Sequence, residues 1–171
     1  MELLLENLVT KQNPPGLSLC VAKDNRIIYQ KAFGHADGHG RISATPETIY
    51  HWWSITKPFT AVAILQLQEQ EKLSINDNAE NYLPFLKLQA YKESDRKITI
   101  KDLLTHSSGL PNTGPEILSW VHFEGDPHPV QTTLLREKIY DYSELEYSPG
   151  SAANYSNFGY MLLASIIEIT S

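Results

Sequence analysis

The β pattern of this chain is spent by residue 33, and that most limits what it can fold into. In "LSLCVAKDNRIIYQKAF", Leu17, Leu19 and Val21 alternate with Ser18, Cys20 and Ala22, the two-residue period of a strand. Asp24 and Asn25 tolerate the positive φ of a tight turn, and Ile27 to Phe33 resume the pattern, so a β-hairpin is expected. Its small-residue face (Ser18, Cys20, Ala22) would let a helix lie close. A lone two-stranded hairpin is marginal in water, and its edges are open to pairing. Either it leans entirely on helices, or its sheet expects strands that the chain does not contain.

The rest reads as helix and loop. Residues 2 to 10 suggest a short helix closed by "NPPG". Phe59 to Leu67 is apolar almost all round, the pattern of a central, buried helix. "NAENYLPFL" is read as a loop closed by Pro84. "TIKDLLTHSSGLP" opens on Thr99 and Asp102, a capping-box-like pair, and its helix is expected to stop at Gly109. Residues 116–123 and 130–141 are further helix candidates, and Phe158 to Ile169 is a strongly apolar helix. Residues 1–45 read as the start of a sheet domain and residues 46–171 as a helical region.

Composition narrows the partners. The 171 residues suit one domain. A net charge of −6 without a Lys/Arg run excludes the basic stripe that nucleic-acid binding needs. Cys20 is the single cysteine, so no internal disulfide forms. "MELLLENLVTK" lacks a basic n-region and reads as an amphipathic helix rather than a signal peptide. No apolar run approaches the ~18 residues of a membrane span. The chain as given reads as cytoplasmic; a start chosen downstream of a lost signal would read the same and place it in the periplasm or outside the cell. His35 and His39 stand four apart in a Gly-rich loop with no supporting Cys or carboxylate cluster, so no metal and no cofactor are expected.

Chemistry is suggested by "HWWSITKPFT", residues 51–60. Ser54 and Lys57 at i and i+3 share a helix face. Pro58 is tolerated only in a first helical turn, which places the helix start near Ser54 and its hydroxyl at the positive end of the dipole. Burial of Lys57 would lower its pKa and let it take the serine proton. The plainer reading is a serine cap and a chance lysine. The second stretch is "NYSNFGYMLL", where Tyr155 and Asn157 precede an apolar helix. A Tyr beside a cation can pass a proton, and Asn157 can donate to a substrate carbonyl while holding a Lys ammonium. The plainer reading makes Asn157 a helix cap and Tyr155 a packing residue.

Three segments, "SITKPFTAVAILQLQEQEKLSINDNAENYLP", "ITIKDLLTHSSGLP" and "SPGSAANYSNFGYMLLASIIEITS", together resemble the serine β-lactamase-related family. That family includes class C β-lactamases, D-Ala-D-Ala carboxypeptidases, D-aminopeptidases and related esterases. The likeness runs from about Pro15 to the last residue. It implies an α+β, β-lactamase/transpeptidase-like fold. It also implies a serine hydrolase forming an acyl-enzyme on an amide or ester: a D-amino-acid peptide, a β-lactam or a small ester. Ser54 would be the acylated nucleophile, Lys57 and Tyr155 would share the proton work, and Asn157 would orient substrate and Lys57. The backbone N–H of Ser54 would be one oxyanion donor.

The family's third motif, K-T-G or H-x-G on a later strand, does not follow Asn157; "NTG" at Asn112 to Gly114 precedes it and is read as a decoy. The expectation is therefore an N-terminal part whose natural partner is a missing C-terminal half. The alternative is a non-catalytic ligand-binding or degenerate relative that keeps the cleft. Two departures stand out. Trp53 occupies the place of a small residue before the nucleophile, and Glu71 the place of a glycine after the helix. Trp53 can line a substrate cleft, with a core position the favoured reading. Trp120, His122 and Phe123 can line the cleft from the helical part, with packing favoured. His106, in "LLTHSSG", is expected to hydrogen-bond within its own turn.

Overall fold

The computed structural model describes residues 1–10, 14–37, 39–86, 96–112, 135 and 144–171. The chain divides into two units, Met1–Trp52 and Trp53–Ser171. The helix candidates at 116–123 and 130–141 fall outside the described residues, apart from helical Leu135.

In the first unit, helix α1 (Glu2–Thr10) is followed by an antiparallel hairpin of β1 (Gly16–Lys23) and β2 (Arg26–Gly34). Asp24 and Asn25 both take left-handed φ, +50° and +58°, the type I′ geometry that matches strand twist. Leu17 pairs with Phe33, Leu19 with Lys31 and Val21 with Tyr29, before a bulge at Val21/Ala22. The Glu2 carboxylate accepts from the Tyr29 hydroxyl at 2.7 Å and from Lys31 Nζ at 2.6 Å, so α1 lies over the face that carries these residues. This corrects the expectation for the small-residue face: Ser18, Cys20 and Ala22 are exposed. The Glu2 bonds to Tyr29 and Lys31 mark the face that α1 takes. Among the described residues the sheet has these two strands only.

The second unit opens with a 3₁₀ turn, Trp53–Thr56, which runs directly into α2 (Lys57–Glu69). Then come a short 3₁₀ turn at Ala79–Asn81, inside the stretch read as loop, then α3 (Ile100–Leu104) and α4 (Asn157–Thr170). Ile64 and Leu67 of α2 share one apolar core with Leu83, Ile100 and Leu103 and with Phe158, Leu162 and Ile166 of α4. Full burial of a side chain such as Phe158 contributes roughly 1.5–3 kcal/mol. α2 is not buried all round as its composition suggests. Phe59 (57%), Val62 (54%) and Leu65 (44%) are exposed, while Ile64 and Leu67 face the core.

Helix ends follow local chemistry. Thr99 caps α3: its hydroxyl accepts from the Asp102 N–H at 3.2 Å, and Asp102 Oδ2 accepts from the Thr99 N–H at 2.9 Å, a complete capping box. Asp102 is also paired with Arg96 at 3.0 Å. α3 stops at Leu104, ahead of the stop expected at Gly109, and His106 takes the left-handed conformation after it (φ +56°). Gly109 (φ +79°) serves a later turn, where a Cβ would lie 2.2 Å from the Tyr147 carbonyl oxygen. α2 ends in a Schellman motif: the Lys72 N–H donates to Leu67 O at 3.0 Å and the Glu71 N–H to Gln68 O at 2.9 Å. Glu71 is held at φ +56°.

Candidate active site

The turn before α2 sets the first pair. A 3₁₀ helix has three residues per turn, so side chains at i and i+3 eclipse. Ser54 and Lys57 are such a pair, and Lys57 Nζ donates to Ser54 Oγ at 3.2 Å. Lys57 is the first residue of α2 and Pro58 the second, where the missing proline N–H breaks no helical bond. The helical turn thus begins beside Ser54 as expected, although its first four residues are 3₁₀.

The loop before α4 supplies the second pair. Ser156, not Asn157, is the N-cap: its hydroxyl accepts from the Gly159 N–H at 3.1 Å and donates to Pro111 O at 3.2 Å. That leaves the Asn157 side chain for other partners. Asn157 Oδ1 accepts from Lys57 Nζ at 2.8 Å. The Tyr155 hydroxyl meets Ser54 Oγ at 2.6 Å, and Lys57 Nζ lies 4.8 Å from the Tyr155 ring centroid. Ser54, Lys57, Tyr155 and Asn157 therefore form one hydrogen-bonded cluster across about a hundred residues of chain.

The electrostatics favour a shared proton. Burial pushes the Tyr155 phenol up, but its hydrogen bonds with Lys57 and Ser54 and the Lys57 charge outweigh this, so its pKa lies below the usual 10.0. Tyr160 moves the other way, raised by burial and by Tyr155. A phenol brought down beside a cation and 2.6 Å from a hydroxyl can take that hydroxyl's proton.

Three residues shape this cluster in ways the sequence reading missed. His106 bonds outside its own turn: its Nδ1 accepts from the Ser156 N–H at 3.1 Å, fifty residues away. Asn112, read as part of a decoy, accepts through Oδ1 from the Asn157 N–H at 3.4 Å and from Asn157 Nδ2 at 3.3 Å. Ser156 caps α4. The local signals were a helix end without glycine at 106 and a hydroxyl three residues before Gly159. Trp53 departs from the favoured core position: it is 71% exposed with φ +46°. Its place in the tight turn before Ser54 directs it away from the core. Trp120 lies outside the described residues. Among the described residues no group of His, Cys, Asp or Glu is arranged to hold a metal ion, and no helix is long and apolar enough to cross a membrane.

A sequence model of the family described as Beta-lactamase matches residues 1–171. Protein flp of Staphylococcus aureus (strain MRSA252) is 30% identical over 98% of this chain and 32% of its own length. Penicillin-binding protein 4* of Bacillus subtilis (strain 168) is 31% identical over the whole chain and 36% of its own length. The octameric penicillin-binding protein homologue from Pyrococcus abyssi superposes with a TM-score of 0.79 and 35% identity, over 99% of this chain and 38% of that one. The chain thus spans about a third of the length of the curated relatives it matches.

Proposed function

The chain belongs to the beta-lactamase family, and from that premise we propose that it is the nucleophile-bearing part of a serine acyl-transfer enzyme. One observation carries the reading: Ser54 Oγ sits 2.6 Å from the Tyr155 hydroxyl and 3.2 Å from Lys57 Nζ. Tyr155, as phenolate, takes the Ser54 proton. Ser54 Oγ then bonds to the substrate carbonyl carbon. The developing oxyanion faces the start of the 3₁₀ turn, where the first N–H groups have no intrahelical partner. The carbonyl's bond to its leaving nitrogen or oxygen breaks, and that atom leaves with the proton from Tyr155. A water repeats the sequence in reverse and frees Ser54.

Lys57 keeps Tyr155 acidic enough to act, and Asn157 fixes Lys57 while turning its amide toward substrate. Exposed Trp53, next to the nucleophile, would form an aromatic wall of the acyl site. The substrate class is an amide or ester: a D-amino-acid peptide, a β-lactam or a small ester.

Intact-mass analysis after treatment with a fluorophosphonate or penicillin tests the reading. One adduct is expected, lost in Ser54→Ala. An adduct that survives Ser54→Ala refutes the assignment. A folded protein that binds penicillin reversibly without an adduct supports a ligand-binding role instead.

A further inference from the structure

We infer that His106 is the positioning residue that presents Tyr155 to Ser54, and that it does so only while its imidazole is neutral. The inference rests on the acyl-transfer reading above. His106 grips the chain on both sides of Tyr155. Its carbonyl accepts from the Asn154 N–H at 2.8 Å, and its Nδ1 accepts from the Ser156 N–H at 3.1 Å. Its ring centroid lies 4.6 Å from that of Tyr155 and 5.0 Å from that of Tyr160. One residue therefore fixes the backbone before Tyr155, the backbone after it, and the ring face between.

Only an unprotonated Nδ1 can accept from Ser156, so the imidazole proton resides on Nε2. Among the described residues, the titratable groups near His106 are Lys57 from α2, Tyr155 and Tyr147 from the loop, and Tyr160 from α4. The Tyr147 hydroxyl donates to the His106 carbonyl at 3.3 Å. A proton on Nδ1 would set one N–H against another and place a second cation near Lys57. The Ser156 bond would break and the Tyr155 phenol would lose its placement on Ser54. A misplacement of about 1 Å in such a site costs on the order of 10²-fold in rate. Burial, followed by the Lys57 charge, holds the imidazole below its usual 6.5, so the switch operates at acidic pH.

The left-handed φ of +56° at His106 suggests the control. Asn tolerates this region, and its Oδ1 occupies the place of imidazole Nδ1 but does not titrate. Fluorophosphonate labelling of Ser54 is followed by mass against pH in wild type, His106→Ala and His106→Asn. His106→Ala should label about 10–100-fold more slowly, and His106→Asn should restore most of that loss. Below pH 6.5 the wild-type rate should fall with one more proton than that of His106→Asn.

Nitrogen-15 NMR of the imidazole should show the Nε2–H tautomer at neutral pH. Equal labelling of His106→Ala and wild type at every pH, or an Nδ1–H tautomer, overturns the inference. If His106→Ala does not fold, identical acid limbs in wild type and His106→Asn overturn it. Should wild type carry no label at Ser54, the acyl-transfer reading fails by itself. The tautomer and the Tyr155 titration in His106→Asn against wild type then decide the positioning role.

Discussion

Replacing Glu71 by glycine should stabilise the protein, and the amount can be worked from the end of α2. Glu71 is held at φ +56° by two backbone bonds, its own N–H to Gln68 O and the Lys72 N–H to Leu67 O. A residue with a Cβ loses roughly 1–2 kcal/mol in this left-handed region, and glycine loses almost nothing there. The glycine adds unfolded-state freedom worth about 0.4–1 kcal/mol against folding. The balance is a gain of around 0.5–1 kcal/mol. For a chain of this length that is a rise in Tm of about 1–4 °C. Thermal melts followed by circular dichroism, with urea titrations to check that the m-value is unchanged, measure it. Glu71→Asn should gain part of the same benefit and Glu71→Ala none, which separates φ from charge. A Glu71→Gly variant that melts at or below wild type, or an Ala variant that melts as high as the Gly one, refutes the reasoning.

Two further outcomes are expected. Tyr155→Phe removes the oxygen 2.6 Å from Ser54 Oγ and should slow Ser54 labelling by about 10²–10⁴-fold while leaving Tm within a few degrees; labelling within threefold of wild type would exclude Tyr155 as the base. Burial raises the Asp102 carboxyl, but Thr99 and Arg96 overcome it, so its folded pKa lies below 3.8. The stability this carboxylate contributes is present above about pH 4, the unfolded range, and is lost as pH falls through the lower folded value. Tm measured between pH 2 and 6 should therefore fall less steeply in Asp102→Asn than in wild type, from a lower plateau; parallel curves would contradict this.

What could be read from the sequence was what is decided within a few residues. Asp24-Asn25 marked the hairpin turn because few other pairs accept two positive φ values in succession. Thr99 and Asp102 marked a helix start because each satisfies the other's backbone N–H. Ser54 and Lys57 were recognised by spacing, and that spacing became a contact because the turn is 3₁₀. The misreadings of His106 and Asn112 concern partners distant in sequence. His106 looked like a local turn residue, since nothing near it hints at a bond to Ser156. Asn112 looked idle because its partner, Asn157, comes forty-five positions later. The apolar run Phe59–Leu67 indicated how much surface α2 offers, not how much of it a neighbour covers. Trp53 was misjudged because bulk and hydrophobicity argue for the core, while the tight turn it occupies points outward.

The loop before Tyr155 is fastened mainly through main-chain atoms. Glu146, Gly150 and Asn154 donate their N–H groups to the carbonyls of Gly109, Ser107 and His106 at 2.7–2.8 Å. Bonds of this kind are indifferent to the side chains that flank them. The exposed positions Ala152 and Ala153 can therefore drift with little effect on where the phenol sits, whereas the Ser151 hydroxyl donates to Ser148 O at 2.7 Å. Gly109 and Gly150, both at φ +79°, resist such drift, and at Gly109 a Cβ would also run into the Tyr147 backbone. Natural variation and library design alike thus have a short segment just before Tyr155 that can change at little cost to where the phenol sits.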